Sequence, residues 1–195
     1  ALAAERIATF VAREVDGELR DFRPAEAPTR LDENERVVQF VPYRMPVSLP
    51  WCHGYSYLDL LNPNAVRAFL ESTHHEYGRV VGRQFGRAVP GIFTDEPLFR
   101  NLTPDMAWSL ELPEFFRRMN GYDLLDHLPA MSFQPADAPK VRFDYYRTVM
   151  RLFILAYTLP IYQWCQRNKL SLTGHFMSED TLSGQIAFNG GVMPH

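Results

Sequence analysis

The feature that most constrains the fold is a helical pattern followed at once by a short apolar strand pattern. Asn62 can cap a helix that has Pro63 in its first position. Apolar residues then recur at steps of three and four as far as Val81, which leaves one face polar. The segment AVPGIFTD, residues 88 to 95, follows as a predicted strand. A helix that leads into a mostly apolar strand is typical of a parallel α/β sheet.

The same order of elements returns later in the chain. The segment LPEFFRRM, residues 112 to 119, predicts a short helix, and a long helix is expected from about 141 to 168. Pro160 should kink this long helix. LSLTGHF, residues 170 to 176, predicts the next strand, and residues 177 to 191 are expected to form a loop.

The start of the chain has a different pattern, which is rich in predicted strands. Two strands are expected around the dipeptide Asp16-Gly17, because Asp-Gly readily adopts the positive φ of a tight turn. Residues 36 to 44 predict a third strand, while residues 2 to 13 can also be interpreted as a short helix. The sequence therefore predicts a β-rich segment over residues 1–44.

Residues 45–195 are expected to form part of a (β/α)8 barrel. A complete barrel takes about 250 residues, so the chain of 195 residues is expected to be a piece of a longer, multidomain protein. Apolar helix faces left uncovered in such a piece predict that the isolated chain self-associates.

Composition argues against several functional classes. The net charge is −3, so no basic face is indicated for a nucleic acid, and no apolar run reaches the length of a membrane span. Cys52 and Cys165 lack metal-site spacing and are expected to be buried free thiols. His74 and His75 lie in the first predicted helix, where packing at the surface and in a groove is expected rather than a metal site.

Acidic residues follow two of the predicted strands. Asp95 and Glu96 end the first strand and Pro97 stops it, while Glu179 follows the strand that ends near His175. Functional groups of parallel sheets lie at the carboxyl ends of strands, and a pair of carboxylates suits glycoside hydrolysis. Because adjacent side chains of a strand point to opposite sides, Asp95 and Glu96 are expected to have different roles.

Each of these residues also has a structural interpretation. Asp95 and Glu96 can be a solvated strand end, His175 can be a hydrogen-bonded structural residue, and Glu179 can be a surface acid of a loop. Trp51 and His53 can form an aromatic wall for a sugar, although Trp51 can equally belong to the core.

Several motifs together resemble one enzyme family. The run from Tyr57 to Pro97, with its segments DLLNP and FTDEP, is similar to a stretch in large bacterial glycoside hydrolases of family 106, the α-L-rhamnosidase-like group. LTGHFMSED and a later Gly-Gly-x-Met run follow in the family's order, so the resemblance covers roughly residues 55 to 193. It implies a (β/α)8 catalytic barrel that removes terminal α-L-rhamnose from plant-type oligo- or polysaccharides with inversion. It also implies calcium at the site and a periplasmic or secreted location.

The resemblance also implies roles for individual residues. Glu96 matches a catalytic carboxylate, most simply the general acid, and Glu179 is the local match for the second acid, although a base can also lie beyond His195. Asp95 and His175, with Trp51 and His53, are expected to bind substrate.

Two alternatives stay open. FTDEP also resembles the Asn-Glu-Pro strand end of retaining barrel hydrolases such as β-galactosidases, but Asp95 replaces their asparagine. The chain can also be a non-catalytic carbohydrate-binding or scaffold piece.

Overall fold

The computed structural model describes residues 6–25, 30–43, 52–99 and 106–189. In chain order its strands are β1 Ala8–Val15, β2 Glu18–Pro24, β3 Glu35–Phe40, β4 Gly91–Asp95 and β5 Ser171–His175. Its helices are α1 Pro63–Ser72, α2 His74–Val81, α3 Leu112–Asn120, α4 Pro129–Ser132, α5 Ala138–Phe153, α6 Leu159–Arg167 and α7 Leu182–Asn189. The chain divides into two compact units, one of Ala1–Ser56 with Pro113–Tyr145 and the other of Tyr57–Leu112 with Tyr146–His195.

The first unit contains an antiparallel sheet in the order β2–β1–β3. Asp16 and Gly17 connect β1 to β2 with φ values of +53° and +79°, the positive values that a two-residue type I′ turn requires. The predicted hairpin and third strand are therefore confirmed. The alternative helix over residues 2–13 is wrong from Ala8 onwards, because β1 pairs along its length with both neighbouring strands.

The helical part of the first unit packs around buried aromatic side chains. Phe116 of α3 and Tyr145 of α5 are both almost completely buried. Gly121 follows α3 with φ of +79°, and its N–H donates to the Arg117 carbonyl at 2.9 Å. The helix predicted over residues 112–119 and its glycine stop are thus confirmed.

The second unit begins with α1 and α2, which the sequence predicted as one helix. Asn62 caps α1 as expected, since its Oδ1 accepts from the N–H groups of Asn64 at 2.9 Å and Ala65 at 3.3 Å. The break falls at Thr73, whose hydroxyl donates to the Phe69 carbonyl at 2.6 Å. A threonine that bonds back to its own helix competes with the helical backbone, which explains an end that periodicity alone did not predict.

The second unit also contains β4 and β5, which pair in parallel. Both strands and their parallel direction agree with the sequence prediction. The predicted part of a (β/α)8 barrel is wrong, because the described residues form one two-stranded parallel sheet and one three-stranded antiparallel sheet, with no closed barrel. Periodicity predicted the individual elements, but the number of strands in a sheet depends on pairing between distant segments, which periodicity does not encode.

The long predicted helix is interrupted by a π-helical turn. A five-residue π segment, Ile154–Thr158, separates α5 from α6, and the Leu159 N–H donates to the Ile154 carbonyl five positions earlier. The kink was predicted at Pro160, yet the irregular turn lies just before it. Pro160 has no N–H and its ring would clash with the Ala156 carbonyl of a regular helix, so the preceding turn is the one that departs from α geometry.

The predicted loop over residues 177–191 is wrong in its second half, where α7 forms. Thr181 caps this helix, since its Oγ1 accepts from the Gly184 N–H at 3.0 Å. A threonine cap before an apolar residue is a start signal for a helix that the sequence does contain. Every helix within the described residues falls short of the length and apolarity of a membrane span.

The two thiols differ in their surroundings. Cys165 is fully buried, as expected, and burial raises the pKa of its thiol, while Cys52 is only half-buried. In the second unit the large side chains of Tyr77, Val80 and Phe93 are more than half exposed. Self-association of the isolated chain stays a prediction.

Candidate functional site

The ends of β4 and β5 lie side by side in the second unit. In the parallel register Asp95 pairs with His175, and the Glu96 N–H donates to the His175 carbonyl at 3.2 Å. Two motifs that are far apart in the sequence, FTDEP and TGH, therefore meet at the carboxyl ends of the two strands. Parallel sheets carry their functional groups at these ends.

The imidazole of His175 contacts both carboxylates. Its Nε2 lies 3.1 Å from Asp95 Oδ1, and its Nδ1 lies 3.9 Å from Glu96 Oε1. Glu96 follows the last residue of β4 and has φ of +48°. A residue other than glycine in this region is under strain, and such strain concentrates at functional sites. The expectation that Asp95 and Glu96 have different roles stays a prediction.

Gly174 makes the close approach of the two strands possible. It lies opposite Thr94 with φ of +154°, and a Cβ at this position would lie 2.0 Å from the Thr94 carbonyl oxygen. Only glycine fits such a position. The glycine of the TGH motif thus sets the distance at which His175 meets Asp95.

A pocket of about 200 Å³ lies next to this cluster, wholly within the second unit. Its wall combines apolar surface, including the ring of Phe93, with polar groups from Tyr57, His74, Thr94, Asp95 and Tyr157. An apolar cavity with a small number of polar groups is the usual form of a ligand site.

Tyr157 and Thr94 form a polar pair in the pocket wall. The Tyr157 hydroxyl and Thr94 Oγ1 are hydrogen-bonded at 2.8 Å, across 63 positions of sequence. Burial raises the pKa of Tyr157, and the hydrogen bond with Thr94 offsets only part of this rise, so the phenol keeps its proton at neutral pH. Tyr157 falls within the helix predicted over about 141 to 168, but it was not among the predicted site residues. The available signal was its hydroxyl, since a buried tyrosine needs a hydrogen-bond partner.

His74 forms another part of the pocket wall and is 7% exposed. Its Nδ1 is 2.9 Å from Thr73 Oγ1, which already donates to a carbonyl, so Nδ1 carries the proton. Its Nε2 is buried and has no hydrogen-bond partner among the described residues. His74 packs against the rings of Phe69 and Trp164, while His75 is exposed.

The buried imidazole of His74 gives a testable pH dependence. Burial, and to a smaller extent the charge of His75, lowers the pKa of His74 below its ordinary value of 6.5. The unfolded chain therefore binds this proton more readily, so the free energy of unfolding should fall as the pH drops below about 6.5. His74→Phe should flatten this fall in urea titrations between pH 7.5 and 5. His75→Gln, which changes the exposed neighbour, should keep most of it, and an unchanged slope in His74→Phe would refute the assignment.

Glu179 has a structural partner in the loop between β5 and α7. Its Oε2 accepts from the Phe176 N–H at 2.9 Å, and its carbonyl accepts from the Gln185 side chain at 2.7 Å. The described ion pairs of His175 involve Asp95 and Glu96 instead. A catalytic role for Glu179 stays a prediction.

The other predicted binding residues lie elsewhere in the chain. Trp51 lies outside the described residues. His53 belongs to the first unit, where it is exposed with φ of +52°. Their predicted role in sugar binding is not tested by this geometry.

A calcium site was also an expectation from the family resemblance. Across residues 6–25, 30–43, 52–99 and 106–189, no group of three or more His, Cys, Asp or Glu side chains is arranged to hold a metal ion. A calcium site in the intact protein stays a prediction.

Comparison with known proteins gives one informative similarity. No protein-family model matches the chain, and no curated protein sequence matches it significantly. A rhamnosidase from Novosphingobium sp. PP1Y has a similar structure, with a TM-score of 0.54 and 20% sequence identity. The match covers 79% of this chain and 15% of that one, so this chain spans a small part of that enzyme's length. At this level of identity the similarity shows a rhamnosidase-like fold.

Proposed function

We propose that this chain is part of a glycoside hydrolase, and more narrowly of an α-L-rhamnosidase related to family 106, with Glu96 as its general acid. The observation that carries the proposal is the meeting of Asp95, Glu96 and His175 at the carboxyl ends of two parallel strands, beside a pocket. The rhamnosidase-like fold also supports a glycoside hydrolase. The substrate would be an oligo- or polysaccharide.

The geometry suits Glu96 for proton donation. Its carboxyl group is half-buried, and its backbone is fixed by Pro97 on one side and by the bond from its N–H to the His175 carbonyl on the other. Protonated Glu96 would give its proton to the glycosidic oxygen as the bond from that oxygen to the anomeric carbon breaks.

The reaction also needs a second carboxylate. In an inverting reaction this group takes a proton from water, which attacks the anomeric carbon from the opposite face. Glu179 stays our candidate, since it follows the strand that ends at His175 and forms the turn at Phe176. Asp95, which is largely exposed beside Glu96, is assigned to substrate binding.

The decisive experiment follows the first product formed by the intact protein. We would incubate it with an aryl α-L-rhamnoside and an aryl β-D-galactoside and record proton NMR spectra before the free sugar mutarotates. Release of β-L-rhamnose would support the inverting rhamnosidase, while β-D-galactose would favour the retaining alternative. Binding of these sugars without turnover of either glycoside would contradict a hydrolase and favour a carbohydrate-binding protein.

A further inference from the structure

The pocket beside Asp95 has the composition of a site for one polyhydroxylated ring. Ile92, Phe93 and Ile161 supply apolar surface, and the Phe93 ring is 58% exposed at 5.6 Å from the ring of His175. Polar groups come from Thr94, Asp95 and Tyr157. Aromatic surface next to a few fixed hydrogen-bonding groups matches the alternating apolar faces and hydroxyl edges of a sugar ring.

The size of the pocket limits what it can hold. Its volume of about 200 Å³ is below the range of roughly 300–1,000 Å³ that is usual for drug-sized ligands. One monosaccharide unit is therefore the appropriate ligand, and a longer oligosaccharide would have to extend outside.

The Thr94–Tyr157 pair keeps one hydroxyl proton available. Each side chain has one O–H donor, and the bond between them uses one of the two protons whichever residue donates. The other proton can be donated to a ligand hydroxyl, which can in turn donate to the partner oxygen, so the ligand contacts both side chains and replacing either one breaks the arrangement. Tyr157 is 9% exposed and Thr94 is half-buried, so a ligand that lacked this hydroxyl would leave a shielded donor without a partner, which is costly.

Two further features occur in this wall. His74, which lines the pocket, has an Nε2 without a partner among the described residues, whereas nearly all buried polar atoms in native proteins are hydrogen-bonded. Tyr157 also belongs to the π segment Ile154–Thr158, and single π turns inside helices occur frequently at functional sites.

We infer that this pocket binds a single sugar ring and that Thr94 and Tyr157 together recognise one of its hydroxyl groups. The identity of the sugar as the glycone of a hydrolysed substrate rests on the proposed function. The assignment of Thr94 and Tyr157 as binding residues does not require that the protein hydrolyses anything.

The test measures binding rather than turnover. Calorimetry would be run with L-rhamnose, D-galactose, D-glucose and D-mannose, and then with the monodeoxy analogues of the sugar that binds. We expect one analogue to bind about tenfold more weakly than its parent sugar. Tyr157→Phe should bind the parent sugar about tenfold more weakly and should no longer distinguish it from that analogue.

Two sets of variants separate recognition from folding. Tyr162→Phe is the matched control, because Tyr162 lies on α6, is 44% exposed and bonds to Gln166 away from the pocket. Thr94→Val should repeat the loss seen in Tyr157→Phe, while Thr94→Ser, which keeps the hydroxyl, should restore binding. Thermal unfolding curves would show whether each variant is folded.

Three outcomes would overturn the inference: no sugar in the panel binds, no analogue is distinguished, or Tyr157→Phe distinguishes the analogue as the unaltered protein does. Sugar binding with the expected loss, but without hydrolysis, would sustain the pocket assignment and refute the proposed enzyme. Hydrolysis that depends on Glu96 but is unchanged by Tyr157→Phe would sustain the proposed enzyme and refute the pocket assignment.

Discussion

Glu96→Gln is expected to reduce the turnover of a glycoside with an alcohol leaving group by about 1,000-fold, the middle of the range for general acid catalysis. Glutamine keeps the size of the side chain and its polar contacts but cannot release a proton to the departing oxygen. A 2,4-dinitrophenyl glycoside needs no such proton, because its phenolate leaves readily. The loss should therefore be far smaller for the dinitrophenyl substrate, and kcat for both substrates is the measurement.

Glu76→Gln provides the control for this replacement. Glu76 is an exposed glutamate of α2, paired with Arg79 at 2.8 Å and absent from the pocket wall, so its replacement should leave both substrates unaffected. An equal loss of turnover for the two leaving groups in Glu96→Gln would show that Glu96 is needed for something other than proton donation. No loss for either would remove it from the mechanism.

Gly174→Ala is expected to destabilise the protein by about 3 kcal/mol, from overpacking and from an unfavourable φ. The new Cβ would lie 2.0 Å from the Thr94 carbonyl oxygen, so β4 and β5 would have to separate. The melting temperature should fall by roughly 10 °C for a chain of this size. Hydrolysis should also be lost in the folded fraction at low temperature, since the separation moves His175 away from Asp95 and Glu96.

Gly121→Ala separates the energetic cost of a positive φ from the cost of the steric clash expected at Gly174. Gly121 also has a positive φ, +79°, but a Cβ there would meet nothing within 4 Å. Only the backbone cost of about 1 kcal/mol remains, and activity should be retained. A Gly174→Ala protein as stable as the Gly121→Ala control, measured by urea unfolding, would mean that the two strands do not approach as closely as described.

Local patterns were sufficient to predict the elements that carry the candidate acids. The segments that lead up to Asp95 and His175 predicted β4 and β5. A predicted helix precedes each of these strands, and this order of elements predicted parallel pairing. Carboxylates at the end of a parallel strand then indicated the site. These features depend on a few neighbouring residues, which is why a single sequence was enough.

Features that depend on distant partners were not predictable in this way. The positive φ of Glu96 and the bond from its N–H to the His175 carbonyl of β5 were not predicted, since that bond joins two distant segments. The role of Tyr157 was not predicted, because its hydroxyl partner, Thr94, is 63 positions away. The predicted barrel failed for the same reason, since closure requires a set of pairings and not a succession of helices and strands.

The π turn before α6 also bears on how the length of this chain can vary. A π turn holds one residue more than an α-helical turn, so removing one residue from Ile154–Thr158 would return the helix to α geometry and leave Trp164 and Cys165 of α6 on their buried face. Tyr157 lies within this turn, and the same deletion would displace its hydroxyl from Thr94. The extra residue is therefore needed for the Thr94–Tyr157 contact and not for the packing of α6.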